Sequence, residues 1–265
     1  MTAPALAALD LNADLGEGVG DDPALLDDQL LRAVTSANVA CGGHAGDDAT
    51  MARVCRVAAQ RGVAIGAQVS YVDREGFGRV RLDVRRDRLE DQLLDQVEVL
   101  RGHARDAGSD VVYLKPHGAL YNVAADDAEV ARAVVGAVVR DAESTGVLLP
   151  VLTLPGCVLA RIAGEAGVPV FAEAFADRGY TATGQLVPRG EPGALVADDE
   201  AVVARVLRLA TQGVVVAVDG TVVPVRAASV CVHSDTPGAA STVAALRRAL
   251  EDADVAVRPF ARAAR

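Results

Sequence analysis

A chain of 265 residues can bury one large core, and single α/β barrels commonly have this length, so one domain over residues 1–265 is expected. A hydrophobic fraction of 51%, no tryptophan and only eight Phe and Tyr call for a core of Val, Leu, Ile and Ala. The net charge of −10 repels phosphate backbones and acidic membrane surfaces, which argues against nucleic acid or a membrane as partner.

Apolar runs of strand length alternate with segments of helical spacing. In chain order the runs are residues 8–11, 36–41, 63–69, 111–114, 148–154, 168–172 and 229–232. Helical spacing appears in residues 21–35, 47–61, 88–108, 126–145 and 237–253, several of which open with Asp or Thr followed by Pro or acids, as helix N-termini do. Such alternation implies parallel strands joined by helical crossovers. Two stretches break the rhythm. Residues 213–225, GVVVAVDGTVVPV, read as a β-hairpin with a two-residue turn at Asp219-Gly220. Residues 178–193 read as a long polar loop, and loops of that length are usually functional or mobile. The opening MTAPALAALDLN has no basic region, and the most apolar stretch, residues 147–171, is broken by Pro150, Pro155, Arg161, Glu165 and Pro169. A cytoplasmic protein is expected.

The four cysteines, Cys41, Cys55, Cys157 and Cys231, form no C-x-x-C pair and read as small buried thiols in a reduced compartment. Polar residues collect where the apolar runs end. Asn12, Asp14 and Glu17 follow the first; His44 and Asp47 the second; Gln68, Ser70, Asp73, Arg74 and Glu75 close or follow the third. Lys115 and His117 follow the fourth, Glu173, Asp177 and Arg178 the sixth, and His233 and Asp235 the last. In a parallel barrel the C-terminal strand ends open on one face, so these residues converge there. His103 falls in a helical segment and is expected to be exposed. Tyr71, Phe77, Tyr121, Phe175 and Tyr180 gather at the same turns, as lining for a small-molecule pocket would. Lys115 is the chain's single lysine among 26 Lys and Arg residues. Its compact ammonium, beside His117, suits polarising a substrate oxygen or holding a phosphate.

The blocks DLNADLGEGVG, ANVACGGHAGD, GAQVSYVDREGFGR, YLKPHGALYN, FAEAFADRGYTATGQLVPRGEPGALV and CVHSDTPGA resemble, in order and spacing, the LamB/YcsF family. The resemblance implies a barrel of the glycoside hydrolase/deacetylase type with seven main strands. It also implies ATP-dependent opening of 5-oxoproline to L-glutamate by a complex with two partner subunits. Gln68 stands where the family has histidine, Val69 and Val72 stand for prolines, and Ser234 for glycine; glutamine is neither a good metal ligand nor a base near neutral pH.

No G-x-x-x-x-G-K-[ST] is present, since the sole lysine precedes proline, so the chain has no P-loop and ATP is expected to be used by the complex. The glycines of LGEGVG form either a plain tight turn or an anion cradle. In the lactam reading, Asp14 or His117 deprotonates water while Lys115 and His233 stabilise the oxyanion or a leaving phosphate. Asn12, His44, Ser70, Arg74, Tyr121, Glu173 and Arg178 are the candidate substrate-binding residues. Three alternatives stay open: a metal-dependent deacetylase-like hydrolase using Asp14, His44 and His117, a Cys41 thiol hydrolase, and a non-catalytic subunit that binds a small acid.

Overall fold

The alternating pattern closes into a parallel barrel. In the computed structural model, which describes residues 6–196, 198–236 and 238–262, the strands are β1 (Ala8–Leu15), β2 (Ser36–Ala40), β3 (Ala64–Val69), β4 (Val111–Pro116), β5 (Val151–Thr153), β6 (Val170–Phe175), β7 (Val214–Val216), β8 (Val222–Pro224), β9 (Ser229–Val232) and β10 (Ala256–Val257). The first six pair in sequence, β6 pairs with β9, and β9 pairs back onto β1, which closes a ring of seven; β10 adds an outer strand on β1. All these pairings are parallel. The helices are α1 (Pro23–Leu30), α2 (Asp48–Arg61), α3 (Arg86–Asp106), α4 (Gly118–Asp126), α5 (Ala128–Thr145), α6 (Val158–Glu165), α7 (Asp199–Gln212) and α8 (Ala239–Asp252). Among the described residues none is long and apolar enough to cross a membrane.

Local chemistry fixes the helix ends. The Asp47 carboxylate accepts from Thr50 N at 2.8 Å to open α2, and Gly62 closes it in the left-handed region. Asp127 and Asp198 cap α5 and α7 in the same way. Pro237, in the segment read as the last helix, lies outside the described residues. α4, α6 and α7 stand in addition to the segments read from helical spacing.

Several strands run further than their apolar runs: β1 takes in Asn12 and Asp14, β4 takes in Lys115, and β6 takes in Glu173. The cause is a polar barrel interior. The apolar partners, such as Leu11, Leu15, Val39, Ile65 and Leu114, pack outward under the helices, where each fully buried side chain contributes about 1.5–3 kcal/mol. The alternate residues face inward and bond across the barrel: Lys115 on β4 to Asn12 on β1, Tyr113 on β4 to Asn38 on β2, Asn12 to Glu173 on β6.

The hairpin forms as β7 and β8, but its turn has three residues, not two. Ala217 N bonds Thr221 O at 2.8 Å, and Gly220, at φ 88°, takes the left-handed third position. Residues 178–195 are tied down by bridges between Arg178 and Leu195 and between Tyr180 and Leu186, and fold over the barrel mouth.

Candidate active site

A cavity of about 540 Å³ opens at the C-terminal ends of the strands. Its floor is Asp14, Glu17, Lys115 and His117; its walls include Tyr121, Phe175, His233 and the loop residues Leu186 to Arg189. Of the candidates named from sequence, Asp14, Lys115, His117, His233, Tyr121 and Arg178 line this cavity. Asn12, His44, Ser70 and Glu173 are buried and lie behind the lining; Asn12, His44 and Glu173 bond to it directly and Ser70 only through His44.

Lys115 Nζ is held by Glu173 Oε1 at 2.7 Å, Asn12 Oδ1 at 3.2 Å and Cys231 Sγ at 3.2 Å, with Asp14 at 3.6 Å. Burial alone would strip its proton, but Cys231, Glu173 and Asp14 outweigh burial and hold its pKa well above the ordinary lysine range. Burial pushes the Cys231 thiol up, so the carboxylates supply the negative charge. Asn12 is saturated: its amide donates to Glu173 at 3.0 Å and Ser229 at 2.6 Å, and its oxygen accepts from Asn38 at 2.7 Å and from Lys115. It positions Lys115 and Glu173 and has no atom left for substrate. Tyr121 likewise donates its hydroxyl to Glu173 Oε2 at 3.1 Å.

The two carboxyls on the floor differ. Burial raises the Asp14 pKa, but Lys115, His233, His117 and the Asn38 amide bring it down to about 2. Burial and the nearby Asp14 charge push Glu17 up to about 7, against His117, Gln68 and Ser234. A carboxylate of pKa about 2 is a poor base for water, and Asp14 lies 3.6 Å from the Lys115 ammonium. His117 and His44 are stacked, with ring centroids 3.7 Å apart and 8° between planes, and burial brings both to about 4. Both ring nitrogens of His117 are engaged, Nδ1 by Gln68 at 3.1 Å and Nε2 by Phe77 O at 3.2 Å. Across the cavity His233 Nδ1 meets Asp177 at 2.9 Å and stacks on Phe175. Burial lowers the His233 pKa, yet Asp177 and Asp14 raise it on balance.

Arg74 lies outside the cavity lining, while Arg178 lines it and is also bonded to the loop. Arg74 is exposed and donates to Gly46 O. Arg178 donates from Nε to Ala194 O at 3.1 Å and from Nη2 to Val187 O at 2.6 Å, which pins the loop at the cavity wall. The cations beside Asp235 at the mouth are Arg79, at 2.6 Å, and Arg189, at 4.0 Å; the only signal for them in sequence is their place in turns after strand ends. In LGEGVG the Gly16 N–H is taken by the Asp27 carboxylate at 3.1 Å, so this turn presents Glu17 and leaves that amide no anion to cradle. Cys41 lies outside the cavity lining and donates to Gln68 O, and burial pushes its thiol far up, which removes the thiol-hydrolase alternative. His103 is half-buried on α3, near Asp48 at 3.1 Å.

Glu17, His44 and His117 are the group, among the described residues, whose donor atoms all lie within 4.8 Å of one another. The spacing suits a divalent metal, but the orientation does not. An imidazole binds a metal in its ring plane, and one ion cannot lie in the planes of two parallel stacked rings. The Gln68 amide also points its N–H groups at Glu17 Oε1 and His117 Nδ1, 3.1 Å from each, where a metal would need lone pairs. Asp14, the third ligand of the metal-dependent alternative, is turned to Asn38 and Lys115. The arrangement does not fit a metal ion.

A model of the LamB/YcsF family matches residues 9–265. The chain is 55% identical over 253 residues to a Streptomyces coelicolor protein named as the A subunit of 5-oxoprolinase, covering 96% of this chain and 100% of that one. The lactam utilization protein of Thermus thermophilus superposes with a TM-score of 0.87 at 38% identity, covering 96% of this chain and 100% of that chain. The Bc1960 peptidoglycan N-acetylglucosamine deacetylase gives a TM-score of 0.50 at 13% identity over 98% of this chain and 88% of that one, a likeness of fold alone.

Proposed function

Because this chain belongs to the LamB/YcsF family, we propose that it is one subunit of a hydrolase that opens the lactam of 5-oxoproline to L-glutamate. Two partner subunits supply ATP-dependent activation of the lactam in this reading. The observation that carries it is one buried ammonium, Lys115, beside Asp14 at 3.6 Å, with the oppositely tuned carboxyl of Glu17 on the same cavity floor. A resonance-stabilised amide needs a stabiliser for the oxyanion and a proton for the departing nitrogen, and such a floor offers both. Lys115 acts on the developing negative charge by its field and His233 by a ring N–H, while Asp14, Glu173 and Asn12 fix the ammonium. Arg79 and Arg189 at the mouth are placed to meet the substrate carboxylate or a phosphoryl group.

With no P-loop in the sequence, ATP chemistry falls to the partners. The expected result of a glutamate-release assay with 5-oxoproline and ATP is therefore turnover only when all three subunits are present, and negligible ATP hydrolysis by this chain alone. Robust ATPase activity of the isolated chain, or no glutamate from the full set, contradicts the reading.

A further inference from the structure

The hydrogen bonds around Glu17 locate the hydrogen on this floor atom by atom. The Ser70 hydroxyl donates to Tyr71 O at 2.9 Å, so at its 3.1 Å contact with His44 Nδ1 it accepts, and the imidazole hydrogen is on Nδ1. His44 Nε2 is then a bare lone pair, and its partner is Glu17 Oε1 at 3.2 Å. On the other side His117 gives its Nε2 hydrogen to the Phe77 carbonyl and takes a Gln68 hydrogen at Nδ1, so it offers nothing to Glu17 either. Gln68 donates to Glu17 Oε1 at 3.1 Å and Ser234 Oγ to Oε2 at 3.2 Å. Two lone pairs, on His44 Nε2 and Glu17 Oε1, face each other, and the contact is attractive only with a hydrogen between them. Burial draws His44 down to about 4 and Glu17 up to about 7, which places that hydrogen on the carboxyl.

Glu17 is the member of this pair that lines the cavity; His44 lies behind it. We infer that Glu17 is the general acid of the lactam-opening site, with His44, Gln68 and Ser234 holding its carboxyl in place. This rests on the lactam reading above. Water oxygen bonds to the ring carbonyl carbon and the C–N bond breaks, its electron pair passing to nitrogen. For this transfer the Glu17 O–H turns from His44 Nε2 into the cavity, the nitrogen takes its proton, and the carboxylate so formed accepts a proton from the added water. One water is consumed and Glu17 is restored. Where the carbonyl oxygen carries a phosphoryl group, a second water releases it as inorganic phosphate, and the nitrogen still departs as an amine only when a proton reaches it. Gln68 has a defined task here: where a histidine would present one ring nitrogen, its amide donates to Glu17 and His117 together and so fixes which of their atoms carry hydrogen.

The test uses the enzyme reconstituted with its partner subunits. Glu17→Gln keeps the shape of the side chain but has no acid proton, so kcat for glutamate release should fall on the order of a hundredfold or more. Calorimetric binding of 5-oxoproline should stay within about threefold, the pattern of an interaction made in the transition state only. Turnover near that of the wild type, or a loss of binding that matches the loss of turnover, overturns the assignment. Should Glu17→Gln fail to fold by its melting curve, Glu17→Asp retains an acid with a shorter reach, and an undiminished kcat there overturns the assignment equally. If the wild-type assembly releases no glutamate, the lactam reading fails and this role with it; if the wild type turns over and the variants match it, only the role of Glu17 fails.

Discussion

Lys115 shows how a single residue type acquires a reason. Its ammonium has three hydrogens, and Glu173, Asn12 and Cys231 take all three, with Asp14 at 3.6 Å as a further charge. At 3% exposure no space is left for the broad planar fork of arginine, the residue that fills every other strongly basic position in the chain. Both Lys115→Arg and Lys115→Met should lower turnover of the reconstituted enzyme about a hundredfold or more. Stability separates them from a surface lysine: Lys115→Met leaves the buried Glu173 carboxylate without its cation, which costs about 3–5 kcal/mol. A Lys115→Arg enzyme with near wild-type turnover and melting temperature would remove Lys115 from the site. Sequence alone marked this residue, as well as Asp14, His117 and His233. It did not rank Glu17, because a glutamate in a glycine-rich turn carries no local sign of the two histidines that approach it from the ends of β2 and β4.

At the scale of elements, β3 and β4 are fitted to each other through Gly66. A Cβ added there would run into the Tyr113 ring, and Tyr113 has no freedom to yield, being fully buried with its hydroxyl bonded to Asn38 at 2.7 Å. Gly66→Ala should therefore destabilise by about 3 kcal/mol, lowering the melting temperature by roughly 6–12 °C, and an unchanged melting curve would contradict the packing described. The same feature explains why the strands were legible in place but not in length. The apolar character of these runs gives out at Asn12, Lys115 and Glu173, and in most proteins polar means exposed. Here the inward face of the barrel is polar, so Asn12, Asp14, Lys115 and Glu173 belong to strands whose apolar face alone was visible. The loop of residues 178–195 stood out by its composition, but that Arg178 pins it depends on the carbonyls of Val187 and Ala194, further along the same loop.

For the whole molecule, the opposite end of β1 carries a charge that opposes folding. Asp10 is 1% exposed and bonded to the hydroxyls of Thr35, Ser36 and Ser229; burial, partly countered by these bonds, raises its pKa from 3.8 to about 6. Below pH 3.8 it is protonated in both states; as pH rises toward 6 the unfolded chain ionises first, so this contribution to stability is lost, by about 3 kcal/mol in all. The difference in unfolding free energy between wild type and Asp10→Asn, measured by denaturant titration from pH 4 to 7, should shift by most of that amount against the wild type. A difference that stays flat with pH would show that Asp10 ionises freely in the fold. Asp14, drawn down to about 2, works in the reverse sense at lower pH and leaves this window clear. The sequence by itself determined the alternation of strands and helices, the hairpin, the absence of a P-loop and the gathering of polar residues at strand ends, since periodicity and residue chemistry are local properties. Only the tertiary structure decided which of those residues line the cavity, which stand behind it and which are spent on the backbone. Closing the barrel brings together side chains from strands far apart in sequence, and hydrogen positions, charge states and the stacking of His44 on His117 follow from that closure alone.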